Sequence, residues 1–234
     1  MSAAPPPGSL GPGALPWERR AQIGIVQGYV ESVKLFLSNP NDAWSRARES
    51  GGFEDPLLFG ILSAVVGSVF RAIYGLMFAP IWIRLVPLAF RHRWMGRWPH
   101  GMAGPTGCAV ILWPIATAIG VTIGLFIASG IFHLCLMLVG GLNNSTSGFE
   151  GTFRAVSYSS VSMLANIVPI VGGLISLIWG YFLNVKGAMR MHRTTSGKAN
   201  AALLIPLALV ILLLMAVLAV VVGLIVAARS KGSL

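Results

Sequence analysis

The chain has 234 residues, of which 55% are hydrophobic and only 10% charged, with a net charge of +10 and a mean hydropathy of +0.77. Soluble domains carry roughly 25% charged residues, so so few charges exclude a soluble fold of this size. Residues 1–55 hold five of the 17 basic and six of the seven acidic residues, whereas from residue 56 onward twelve basic residues accompany one acid, Glu150. Basic residues beside apolar runs mark membrane topology and attraction to anionic headgroups. Nucleic-acid binding would need a basic domain face instead and is not expected.

Residues 1–19 are rich in Pro and Gly and read as a disordered N-terminus. No apolar core follows Arg19 and Arg20, so no cleavable signal peptide is expected. Residues 20–55 read as cytoplasmic amphipathic helices. Ile23, Val26, Val30, Val33 and Leu37 recur at helical spacing, and Asn39-Pro40 caps a second short helix through Ala43, Trp44 and Ala47. Both are too polar to span. They are expected on the membrane surface, with packing on the end of the bundle as the alternative.

About 20 apolar residues cross a bilayer, and residues 56–229 are expected to form the transmembrane domain, followed by a tail at 230–234. The first span runs from about Leu57 to Phe78. Residues 80–100 mix Trp82, Trp94 and Trp98 with Arg84, Arg91, Arg93 and Arg97, an interfacial composition. Residues 107–140 form one long apolar helix. In residues 153–186, Pro169 with Gly172-Gly173 divides either a tight helical hairpin or one kinked helix, and a last span runs from about Ala202 to Ala228. Lys and Arg near the span ends divide seven to six for five spans and eight to five for four, a mild preference for four.

Catalytic groups are scarce. Glu150, the one carboxylate after Asp55, falls in a predicted loop, whereas proton-coupled transport or paired-carboxylate hydrolysis needs acids inside the site. His92, His100, His133 and His192 have no metal-ligand spacing, Cys108 and Cys135 share one apolar stretch, and no phosphate loop or nucleophile elbow is present. No catalytic residue, metal or cofactor is therefore expected. Overlapping glycosylation acceptors at Asn143-Asn144-Ser145-Thr146 matter only if that loop is lumenal.

Small residues at four-residue spacing are the positive signal. Gly60, Ala64, Ser68 and Ala72 form one stripe, Ala116, Gly120, Gly124 and Ala128 a second, and Gly172, Ser176 and Gly180 a third. Such stripes let helix backbones approach closely in lipid, either within the bundle or with one stripe left for a partner helix or a second copy. Arg71 shares a helical face with Ser63, Gly67 and Gly75, and Ser159, Ser162 and Asn166 line one face just after Tyr158. Together they suggest an intramembrane polar site of Arg71, Ser162 and Asn166, with a snorkelling structural arginine as the plainer account.

Residues 157–159 (SYS), residues 166–173 (NIVPIVGG), Trp179 and the turn at residues 192–199 resemble the Yip-domain family, with Pro56-Leu57 opening the first span. The resemblance covers roughly residues 30–225. It implies five spans, a cytoplasmic N-terminal region and Pro169 in a hairpin, with Pro56, Leu57, Tyr158, Ser159, Pro169, Gly172, Gly173 and Trp179 as family-motif positions. The eukaryotic D-L-Y-G-P signature survives only as Pro56, and the G-Y pair has become Ser157-Tyr158. Those motifs are tied to Ypt/Rab binding, so small-GTPase binding is not expected and the chain looks more like bacterial members. The expectation is an all-α, polytopic membrane helix bundle with five transmembrane helices, four as the alternative, plus N-terminal surface helices. It would scaffold membrane processes through helix and lipid contacts in a bacterial inner membrane, or in a eukaryotic endomembrane. A small-molecule or lipid transporter with a cavity around Arg71, Tyr158 and Asn166 is the alternative function.

Overall fold

In lipid every backbone N–H and C=O must be paired within the chain, so an apolar run of this length has to be helical. The structure, a computed structural model, describes residue 11 and residues 13–85 and 107–231, and among these there are helices and no strand. A 3-10 turn (Pro16–Arg19) leads into α1 (Arg20–Ile23), α2 (Ile25–Ser38), α3 (Pro40–Arg46) and α4 (Glu54–Leu85). Then come α5 (Gly107–Leu138), α6 (Gly148–Ser159), a 3-10 stretch (Ser160–Ile167), α7 (Gly172–His192) and α8 (Ser196–Lys231). Three segments are long and apolar enough to cross a membrane, Glu54–Gly75, Ile115–Leu138 and Ser196–Gly223. Of the interfacial segment expected at residues 80–100, residues 86–100 lie outside the described residues, as does the end of the tail at 232–234.

The serine-rich segment after Tyr158 tightens into the 3-10 stretch. Ser159 Oγ donates to the Ala155 carbonyl (2.7 Å), and Asn166 Nδ2 donates to that of Met163 (2.8 Å). Side chains that bond their own backbone compete with the α-helical ladder. This limb runs alongside α4 in the same direction. Gly60 meets Leu125 and the Ser157 carbonyl, Gly67 meets Met163, and Tyr74 O–H donates to the Ile167 carbonyl at 2.6 Å. The chain reverses over Pro169 and Ile170, which takes a left-handed φ of 67°. From there α7 returns antiparallel, with Gly172 against Ala165, Gly180 against Ser162 and Gly187 against Trp44 and Ala155. Of the two alternatives for residues 153–186, the hairpin describes this path.

The small stripes of α4 and α7 are thus used inside the bundle, where Gly60, Ala64 and Gly172 are buried and Ser68, Ala72, Ser176 and Gly180 are half-buried. The α5 stripe is not. Gly120 and Gly124 face open space, and Ala116 and Ala128 are exposed beside them. From Leu207 to Gly223, every residue of α8 is exposed.

Residues 14–18, within the segment expected to be disordered, are packed instead. Leu15, Trp17 and Glu18 are buried, and Leu15 and Trp17 share a core with Phe36, Trp44, Phe59, Tyr158 and Leu183. What draws residues 14–18 in is this aromatic core, together with backbone pairing: Trp17 N–H donates to Ser32 Oγ (2.7 Å) and its indole N–H to the Asp55 carbonyl (2.6 Å). Gly28 makes room, since any Cβ there would sit 3.0 Å from the Pro16 carbonyl. Helices α2 and α3 pack against the bundle rather than only resting on a membrane surface, and Trp44 contacts both Tyr158 and Gly187.

Gly67 and Gly75 lie two turns apart on α4, but only Gly67 has a neighbour that blocks a Cβ. Gly67→Ala is expected to lower stability by about 1–3 kcal/mol through overpacking, and Gly75→Ala to leave it unchanged or raised. Thermal unfolding of the detergent-solubilised variants checks the contrast.

Candidate functional site

The sequence GFEGTFRAVSYS spaces Glu150, Arg154 and Tyr158 by four residues, and α6 aligns them on one face, with Arg154 and Tyr158 buried and Glu150 half-buried. Glu150 therefore sits in the first turn of a helix rather than in the expected loop, where a negative charge favours the helix N-terminus. Arg154 is fully buried, and its guanidinium gathers chain segments from far apart in sequence. Nη1 donates to Glu18 Oε1 (3.0 Å), Nε to Glu150 Oε1 (3.1 Å) and Nη2 to the Gly52 carbonyl (2.9 Å). Glu18 Oε1 also accepts from Tyr158 O–H (2.9 Å), and the Glu18 carboxylate takes the Arg48 N–H (3.3 Å). The Gly52 N–H completes the ring by donating to Glu150 Oε1 at 2.8 Å.

Burial pushes the Glu18 carboxyl above the ordinary carboxylate range, against the opposing pull of Tyr158, Arg154 and the Arg48 N–H. A second pairing closes the same end of the bundle, where Glu49 holds Arg190 and Arg193 at the end of α7. Burial works against the Glu49 charge, but the two guanidiniums outweigh it and hold its carboxyl below the usual range. Next to it runs a chain of polar side chains. His133 Nδ1 bonds Thr152 Oγ1 (2.7 Å), Thr152 bonds His192 Nε2 (2.8 Å), and His192 Nδ1 bonds Ser145 Oγ (2.7 Å). Ser145, part of the glycosylation-like run, is therefore tied down at the end of the bundle that carries the N-terminal segment.

Of the three residues expected to form an intramembrane polar site, two share a cleft and the third lies apart. Arg71 and Asn166 border one open cleft of about 280 Å³ with Tyr74, Val168, Ile170 and Gly173. Ser162 lies against Gly180 instead, and Tyr158 is packed on Phe36, Phe59 and Glu18. The family-motif positions separate likewise: Pro56, Tyr158, Ser159 and Gly172 are buried, Leu57 and Trp179 half-buried, and Pro169 and Gly173 exposed at the reversal. Sequence reasoning missed Glu18 and Arg154 as a pair. The available signal was the four-residue spacing of Glu150, Arg154 and Tyr158, and Trp17-Glu18 as the one bulky, charged step in a Pro/Gly-rich run.

A family model described as the Yip1 domain matches residues 34–218. No curated protein and no solved structure shows significant similarity to the chain.

Breaking a buried ion pair strands the remaining charge at a cost of about 3–5 kcal/mol, whereas replacing both partners by apolar groups is often close to neutral. Arg154→Met is therefore expected to destabilise by about that amount, and Glu18→Leu/Arg154→Met to recover a large part of it, read by thermal unfolding. For Glu49, a depressed folded-state pKa means that its contribution is present above the ordinary value of 4.5 and is lost as pH falls through the lowered one. Thermal stability should fall as the pH drops below 4.5 in the wild type, and this fall should be smaller in Glu49→Gln.

Proposed function

The chain belongs to the Yip1-domain family of integral membrane proteins, and from that premise we propose that it is a non-enzymatic scaffold organising membrane processes through helix and lipid contacts. The observation that carries this reading is the open α5 stripe. Equivalent stripes on α4 and α7 bring backbones together inside the bundle, whereas Gly120 and Gly124 meet nothing within 4 Å and are flanked by exposed Ile115, Ile119, Ile123 and Ile127. A groove of small residues between isoleucine ridges fits a helix of another membrane protein or of a second copy.

Five crossings are part of the proposal. Twelve α-helical and eight 3-10 residues rise ~34 Å, close to the ~30 Å from Glu54 to Tyr74 and to the hydrocarbon thickness of about 30 Å. The reversal at Pro169 lies at the level of Tyr74, which supports α6 with its 3-10 extension as an outward crossing and α7 as the return. The N-terminal helices, residues 139–147 and residues 193–195 then share one side, the cytoplasmic one, with Arg46, Arg48, Arg190, Arg193 and Lys198. Arg71, ~26 Å along α4 from Glu54, falls near the opposite headgroup region, which favours a structural, boundary role for it. The transport alternative required one cavity shared by Arg71, Tyr158 and Asn166, and Tyr158 belongs instead to the Glu18 cluster.

An Ile119→Cys variant in native membranes, treated with a short bis-maleimide, should cross-link to a neighbouring membrane protein or to itself. Adding Gly120→Leu and Gly124→Leu should abolish that product while thermal stability stays unchanged, because both positions face open space. Undiminished cross-linking in the Leu variants would remove the scaffold reading.

A further inference from the structure

Helix α2 has three kinds of surroundings, in three arcs. At 100° per residue, Gly28, Ser32 and Phe36 form one arc, which is buried against the bundle. Val26, Val30 and Leu37 form the next arc, 77%, 42% and 48% exposed. Gln27, Glu31, Lys34 and Ser38 complete the circle, closed by hydrogen bonds among themselves: Gln27 Nε2 donates to Glu31 Oε1 (2.7 Å), and Ser38 Oγ to the Lys34 carbonyl (2.8 Å). A helix between protein and water needs two faces. The second apolar arc calls for a third medium.

The depth of α2 identifies that medium. The Tyr29 hydroxyl is hydrogen-bonded to Ser63 Oγ (3.1 Å), and its ring packs on Phe59 at 5.3 Å. Phe59 and Ser63 lie five and nine residues inside the membrane span of α4, ~8 and ~14 Å along its axis. Leu58 and Leu62, one position before each, are exposed apolar residues of that same span. The uncovered arc of α2 therefore continues the lipid-facing band of α4 rather than standing above it, while its polar arc faces away from the bundle.

We propose that α2 is a half-embedded helix lying in the boundary layer of the leaflet on the N-terminal side. Its Val26, Val30 and Leu37 side chains sit among lipid acyl chains, and Gln27, Glu31 and Lys34 point to headgroups and water. The occupant of this face is lipid, not a protein partner. The inference rests on α4 crossing the membrane and is independent of the number of crossings and of the α5 stripe.

The test uses the full chain reconstituted in phosphatidylcholine/phosphatidylglycerol vesicles and, separately, in native membranes. Cysteines at Val26, Val30, Gln27 and Lys34, all exposed positions, carry an environment-sensitive fluorophore, and the parent chain serves as the labelling blank. Val26 and Val30 should emit to the blue, be quenched by lipids spin-labelled on the acyl chain, and resist aqueous iodide. Gln27 and Lys34 should show the reverse. Equal iodide access at all four positions would overturn the proposal by putting the arc in water. Protection of Val26 and Val30 from both quenchers in native membranes would overturn it by putting a protein there.

Discussion

One buried ion pair, Glu18 with Arg154, governs how the rest of the molecule is assembled. A guanidinium removed from water is tolerable only when its donors find acceptors, and Arg154 finds them on three separate stretches of chain: Glu18 near the N-terminus, Gly52 before α4, and Glu150 a turn back on its own helix. The N-terminal segment is thereby part of the bundle, and its aromatic side chains fill the space between α4, α6 and α7. Without Glu18, Arg154 would keep Glu150 as its one carboxylate partner. Without Arg154, the Glu18 carboxylate would keep only the Tyr158 O–H and the Arg48 N–H.

This constraint also orders the membrane-embedded part. Docking Trp17, Phe36 and Trp44 onto Phe59 and Tyr158 fixes one end of α4 and α6, and the small residues Gly60 and Gly67 then let the two run in contact to the reversal at Pro169. The Yip1-family match begins at residue 34, so the Trp17–Glu18 turn that caps the cluster comes from outside the matched region, whereas Arg154 and Tyr158 lie within it. With α4, α6 and α7 engaged with one another, α5 and α8 are left with their outer faces uncovered, and on α5 that face is the glycine groove.

How much of this was readable from the residues depends on what each pattern encodes. Three spans were legible because uniform hydropathy over more than 20 residues has one physical solution, whereas Pro169 with Gly172-Gly173 marked a break without deciding between a hairpin and a kink. The buried cluster was not. Pro and Gly around Leu15 and Trp17 give the composition of a disordered tail, and partners 15 to 140 residues away turn it into core. Arg154 looked like one more topology charge because spacing along a helix does not say which side of the membrane surface it faces. The Val26, Val30 and Leu37 stripe shows the same limit, since an apolar periodicity predicts an apolar neighbour without distinguishing protein from lipid. The small stripes at Gly60 and Gly120 are likewise indistinguishable in sequence, and only the packing separates the filled one from the open one.

Hydrogen–deuterium exchange on the wild-type protein in lipid vesicles tests this account most directly. If Glu18 and Arg154 join the N-terminal segment to the bundle, amides of Leu15, Trp17, Glu18 and residues 28–36 will be protected to the same degree as those of α6. Exchange of residues 15–18 at the rate of an unfolded chain, with α6 fully protected, would contradict it.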